Sequence, residues 1–103
     1  MSRSRALDRR LNPYREDLAA AHLRGEVKAD RFEEGQDMQV VAGQLSLLRE
    51  PRPDAPMDTQ LLFGEVFRVY ENKSGWAWGQ SAQDDYVGYV AREGLAPKPS
   101  KPT

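Results

Sequence analysis

The chain contains no cysteine and a single histidine in 103 residues. Without a thiol there is neither a disulfide framework nor a cysteine nucleophile. The lone histidine, His22, falls on the apolar side of a helical pattern and reads as a packing residue, so no catalytic set is expected. Neighbouring carboxylates Asp84 and Asp85 diverge in direction and have no histidine near them in sequence, so no metal or cofactor is expected either. No apolar run approaches the ~20 residues that would cross a bilayer, and no membrane partner is expected. The basic N-terminus MSRSRALDRRLNPYRED lacks the apolar segment of a secretory signal, so no export signal is expected.

What is present suits one small domain. A hydrophobic content of 39% beside 30% charged residues supports a single modest core. The net charge of -1 hides an uneven split, because the first thirty or so residues are net basic and the remainder net acidic. Aromatic side chains set in an acidic body lack the lysines and arginines that hold phosphates, which argues against a nucleic-acid partner. Such a body suits a ligand carrying a free amine.

Along the chain, Asn12 can cap a helix with Pro13 at its first position and Glu16 and Asp17 in its early turns. Leu11, Tyr14, Leu18 and Ala21 or His22 recur at helical spacing, and Gly25 is placed to stop the helix. The spacing predicts an arm of about three turns. Val27 to Asp37 reads equally as an irregular connection or an edge strand carrying Phe32. From Met38 the composition turns β-prone: MQVVAG and Ser46–Arg49 read as short strands, and EPRPDAP as a stiffened loop. In LLFGEVFRVY, Phe67 and Val69 point one way and Val66, Arg68 and Tyr70 the other, with Gly64 marking a bend. Asn72 to Gly75 is a turn.

The aromatic stretch GWAWGQSAQDDYVGYV, from Gly75 to Val90, organises the rest. It reads as two strands joined by a turn at Ser81 to Asp85, with Trp76 and Trp78 on one side. After Val90, AREGLA supplies a short helical turn and an apolar contact through Leu95. The tail PKPSKPT has linker character. The fold class expected is all-β, a small closed barrel of about five strands with an N-terminal helical arm. The domain division is 1–36 for the arm, 37–96 for the barrel and 97–103 for the linker.

The run from Val40 to Leu95 resembles the bacterial SH3-like domain, with LREPRPDAP as its long first loop, LFGEVFRV as its central strand, GWAWGQ as the next and DDYVGYV as the closing strand. The arm LDRRLNPYREDLAAAHLRG resembles the start of two-part cell-wall peptidases, in which an SH3-like domain precedes an NlpC/p60 cysteine peptidase domain. The resemblance implies enzymes that cut murein peptides between γ-D-glutamate and a diamino acid, the cytoplasmic kind recycling such peptides. It therefore implies a cytoplasmic setting, an NlpC/p60 catalytic domain as partner and a murein peptide as ligand. This chain, having no cysteine, would be the non-catalytic half.

In the recycling members the SH3-like domain helps hold the free amino end of the substrate's L-alanine through an acidic residue and a tyrosine. The resemblance carries these roles onto Glu65, in Phe63-Gly64-Glu65, and Tyr86, ahead of Val87-Gly88-Tyr89. Trp78 is expected beside them in the substrate-binding set, with Trp76 and Tyr89 on the interaction surface. Where family members often show glycine, this sequence has Asp85. The rival reading is a free-standing protein-interaction or cell-wall binding module that uses Trp76, Trp78, Tyr86 and Tyr89 as its contact surface. Plainer readings attach to the same residues: aromatics fill space in small barrels, and a glutamate on a strand commonly faces water.

Overall fold

A computed structural model describes residues 8–97. It has nine strands: β1 (Leu18–Ala20), β2 (Arg31–Glu33), β3 (Gln36–Val40), β4 (Gln44–Leu48), β5 (Met57–Leu62), β6 (Val66–Lys73), β7 (Trp76–Ser81), β8 (Val87–Ala91) and β9 (Leu95–Pro97). Strands β3 to β9 form one antiparallel sheet in the order β5-β4-β8-β7-β6-β3-β9, and β1 pairs with β2 in parallel beside it. The all-β class thus holds, with more strands than the five expected.

Barrel closure is not seen. Strands β5 and β6 follow one another in sequence, yet they stand apart in the sheet order. The tight turn between them, in which the Glu65 N–H donates to the Leu62 carbonyl at 3.0 Å, drives the two strands apart and leaves β5 and β9 as free edges. The sheet nevertheless coils round one core. Met38, Val40, Leu45, Leu47, Leu61, Phe67, Val69, Ala77, Val90 and Leu95, drawn from all seven strands, form a single buried cluster. A flat sheet could not bring its two edge strands into one such cluster.

The helical arm is not seen either; no α-helix occurs among the described residues. Residues 13–20 instead double back as a tight hairpin. The Arg15 N–H donates to the Leu18 carbonyl at 2.7 Å and the Ala20 N–H to the Pro13 carbonyl at 2.9 Å. The helix signal was local, whereas the outer face of β6, β7 and β8 carries Tyr70, Trp78 and Val87 and must be covered. An extended β1 buries Leu18, Ala19 and Ala20 all together, which a one-sided helix could not do. Leu18, Ala20 and Leu23 join Tyr70, Trp78 and Val87 in a second core. Burying Leu18 alone is worth roughly 2 kcal/mol. Leu11, expected on the packed side, is exposed, and His22 lies exposed in a single 3-10 turn, Ala21–Leu23. The ambiguous Phe32 segment becomes β2, the partner of β1.

The turns fall where the sequence put them. Lys73 and Trp76 face each other across a two-residue loop in which Ser74 and Gly75 both have positive φ, 52° and 84°. That is the loop geometry matching strand twist in a hairpin. A 3-10 turn at Arg92–Gly94 precedes Leu95, which is buried in the main core. The proline-rich loop is closed by the Arg49 N–H donating to the Pro56 carbonyl. Gly79 lets β6 and β7 approach, since any side chain there would strike the Arg68 carbonyl.

Candidate functional site

Alternation along β7 and β8 separates the sequence-selected residues into two groups. Ala77 and Val90 face the main core, whereas Trp78 and Val87 face the second core on the outer side. Tyr86 packs on the main core and Tyr89 on the second. Trp76, two residues from Trp78, shares the outer face. The structure therefore places Glu65 and Tyr86 in one region and Trp76, Trp78 and Tyr89 in another.

The first region lies at one end of the sheet. Strand β6 begins, β7 ends and β8 begins there, so Glu65, Ala82 and Tyr86 all lie at that end. The Ala82 N–H donates to the Val66 carbonyl at 3.0 Å, and the Ser81 N–H to the Tyr86 carbonyl at 2.9 Å. Glu65 sits in the turn before β6 and not on a strand. Gly64, with φ of 90°, allows the bend, and the Glu65 carboxylate accepts the Leu62 N–H at 3.0 Å. Its backbone is fixed as well, the Glu65 carbonyl accepting the Val40 N–H at 2.8 Å. Both Glu65 and Tyr86 are half-buried. A half-buried carboxylate held in place this way can accept from an ammonium group.

Beside Glu65, Leu62 and Phe63 are 50% and 70% exposed, and Val41, adjoining them through the Gly64–Val40 hydrogen bond, is 46% exposed. This makes an apolar rim around the carboxylate. Such a rim is a usual mark of a surface that meets another protein.

The turn that carries Tyr86 is braced from two sides. Ser81, fully buried, accepts the Asp85 N–H on its carbonyl at 3.0 Å and the Gln83 N–H on its hydroxyl at 3.3 Å. The Gln80 amide bridges the Leu11 and Asp85 carbonyls at 3.1 and 3.0 Å, and the Val87 N–H donates to the Arg10 carbonyl at 2.8 Å. The N-terminal segment thus clamps the outer side of the turn. Asp85 holds φ of 64°, the left-handed region.

The second region is built round Arg15, which the sequence reading did not select. Its guanidinium donates to both oxygens of Asp17 at 3.0 and 2.9 Å, to Glu71 at 2.8 Å and to the Tyr89 hydroxyl at 3.3 Å. Burial opposes the charge on Arg15, but the hydrogen bonds to Glu71, Asp17 and Tyr89 outweigh it and raise its pKa. Trp78 lies beneath it, only 4% exposed, with Tyr70 tilted against its ring at 6.0 Å between centroids. Trp76 and Tyr89 stay half-exposed and border, with Lys73 and Pro51, a hollow of about 440 Å³. Glu71 could not be paired with Arg15 by local pattern, because the ladder slips at Tyr70, between the Val69–Gly79 and Glu71–Trp78 pairs. Among the described residues no cluster of histidines and carboxylates is arranged to hold a metal ion.

Residues 47–95 match the family described as the bacterial dipeptidyl-peptidase SH3 domain. The matched segment runs from Leu47 in β4 to Leu95 in β9 and includes Glu65, Tyr86 and both tryptophans. The chain thus carries an SH3-like domain of the kind found in bacterial dipeptidyl-peptidases, and its sequence has no cysteine. Comparison with curated proteins and with solved structures returned no match.

Proposed function

We propose that this chain is the non-catalytic module of a murein-peptide γ-D-glutamyl-diamino acid endopeptidase. It docks on an NlpC/p60 cysteine peptidase domain, carried in the same polypeptide or in a separate chain, and helps seat the free N-terminus of the peptide. The setting proposed is cytoplasmic. Residues 1–36 act as an arm of the SH3-like unit at 37–96; Pro97 still pairs with Met38 in β9, and the rest of the linker expected at 97–103 lies outside the described residues. The observation that supports this reading is that the half-buried Glu65 and Tyr86 both lie at the same end of the sheet, Glu65 beside an apolar rim at Val41, Leu62 and Phe63. A carboxylate so placed favours a free ammonium and rejects an acylated one, because an acylated end would leave it unpaired.

The test is made on the module joined to its peptidase domain, with L-Ala-γ-D-Glu-diaminopimelate as substrate. Glu65→Gln and Tyr86→Phe are each expected to raise KM by about tenfold or more, with a smaller effect on an N-acylated substrate. Unchanged KM in both variants would show that the two residues are structural.

A second reading is supported by the half-exposed Trp76 and Tyr89 beside their hollow. There the domain is a free-standing cell-wall or protein-binding module. It predicts that Trp76→Ala abolishes binding of the isolated chain to murein while Glu65→Gln leaves it intact.

A further inference from the structure

A smaller hollow, about 210 Å³, lies on the outer face between the N-terminal turn and strands β5 and β8. Asp58 borders it. Leu47 faces Thr59 while Leu48 faces Met57, so Asp58 is the extra residue of a bulge in β5. Bulges re-aim a side chain that would otherwise alternate with its neighbours. Here the re-aimed carboxylate is only 3% exposed. Its Oδ1 accepts from Arg49 Nε at 2.9 Å and lies 3.6 Å from Arg10 Nη2, whereas Oδ2 is buried with no hydrogen-bond partner among the described residues.

Two imbalances meet at this hollow. The first is the orphaned acceptor, since a buried carboxylate oxygen without a donor is costly. The second is a surplus of positive charge. Arg9, Arg10, Arg15 and Arg49 border the hollow against the one carboxylate of Asp58, and of the four only Arg15 is met, among the described residues, by carboxylates from outside it, Asp17 and Glu71. Arg9 is held over the Tyr14 ring at 4.8 Å and has no carboxylate partner among the described residues. An anion alone would leave Oδ2 unsatisfied, and a cation alone would add to the surplus. A ligand bearing a donor cation and a carboxylate on adjacent atoms corrects both.

We propose that this hollow binds a free zwitterionic α-amino acid. Its ammonium donates to Asp58 Oδ2, and its carboxylate lies against the Arg9 and Arg49 guanidinium groups. Arg10 is the clasp that yields on entry, since its contact is long and its side chain is 52% exposed. The hollow suits a small amino acid and is too small for a disaccharide. Neither Glu65 nor Tyr86 lines this hollow, and the site does not rest on the murein reading.

The full chain, isotopically labelled for NMR, is titrated with L-alanine, with propylamine and with propionate. L-Alanine is expected to shift the Gly88 amide and the Arg9 and Arg49 side-chain signals saturably, and to bind more than about tenfold tighter than either half-ligand. Asp58→Asn should weaken alanine binding by a similar factor while the spectrum stays dispersed. Should that variant unfold, the exposed Arg9→Gln serves instead and is expected to weaken alanine and propionate together. The proposal is overturned if alanine shifts nothing at the hollow, if propionate binds as tightly as alanine, or if Arg9→Gln leaves alanine affinity unchanged.

Discussion

The guanidinium carbon of Arg15 stands 4.5 Å from the centre of the Trp78 ring, and the pair closes the outer face of the domain. Arg15 thereby links the N-terminal hairpin to β7 through a stack and to β6 through Glu71. Arg15→Ala removes the stack and leaves Glu71, 17% exposed, with Arg31 at 3.5 Å as its remaining ion pair among the described residues. A loss of about 2–3 kcal/mol is expected, from the cation–π contact and from a partly buried carboxylate stripped of its main partner. Arg15→Lys should recover under half of it, because an ammonium cannot serve Asp17 and Glu71 with the same fork. Urea denaturation of the three proteins gives the comparison.

Tyr70 sets an alkaline limit on stability. Burial pushes its phenol above the ordinary value of 10.0; nearby Arg68 opposes this and Asp37 adds to it. The folded state therefore holds the proton more tightly than the unfolded chain. The resulting stabilisation is complete below pH 10 and is lost as pH rises from there through the folded value. Absorbance titration should show one of the four tyrosines ionising late or only on unfolding. Tyr70→Phe should flatten the fall in stability above pH 10.

Asp85 adopts a backbone conformation that suits glycine. Asp85→Gly should relieve the left-handed strain, offset in part by the greater freedom of glycine in the unfolded chain. A net gain of about 0.5–1 kcal/mol is expected, read as a rise in Tm. A fall in Tm would mean that the aspartate side chain stabilises the turn.

Gln80 is the pin between the N-terminal segment and the turn carrying Tyr86. Gln80→Ala removes two hydrogen bonds from a half-buried amide and should cost about 1–2 kcal/mol. Hydrogen exchange offers a sharper reading. The Val87 amide, bonded to the Arg10 carbonyl, should lose protection, while the amides of the Ala77–Val90 pair in β7 and β8 keep theirs relative to the global value.

Much of the sheet was legible because its determinants are local. Alternation in Phe67–Arg68–Val69, the Ser74-Gly75 turn and the prolines of residues 51–56 each constrain the backbone without reference to distant parts of the chain. The arm was not legible for the converse reason. Asn12, Pro13, Glu16 and Asp17 meet every local criterion of a helix start, but the outer face of β6 to β8 required a cover buried on both sides, and only an extended Leu18–Ala20 supplies it. The candidate site was legible as residue types and not as an arrangement. Nothing short of the strand order shows that Tyr86 faces the main core and Tyr89 the second, or that Arg15 and Glu71 meet over Trp78.

The parallel pair β1–β2 has a practical bearing on how the protein can be handled. Excising residues 47–95 on the strength of the family match would discard β1, β2 and β3 together. Trp78, Tyr70 and Val87 would then face water, and β6 would offer an unpaired edge along Gln36–Gln39's former register. Such a fragment should aggregate, so the smallest piece worth expressing begins ahead of Pro13.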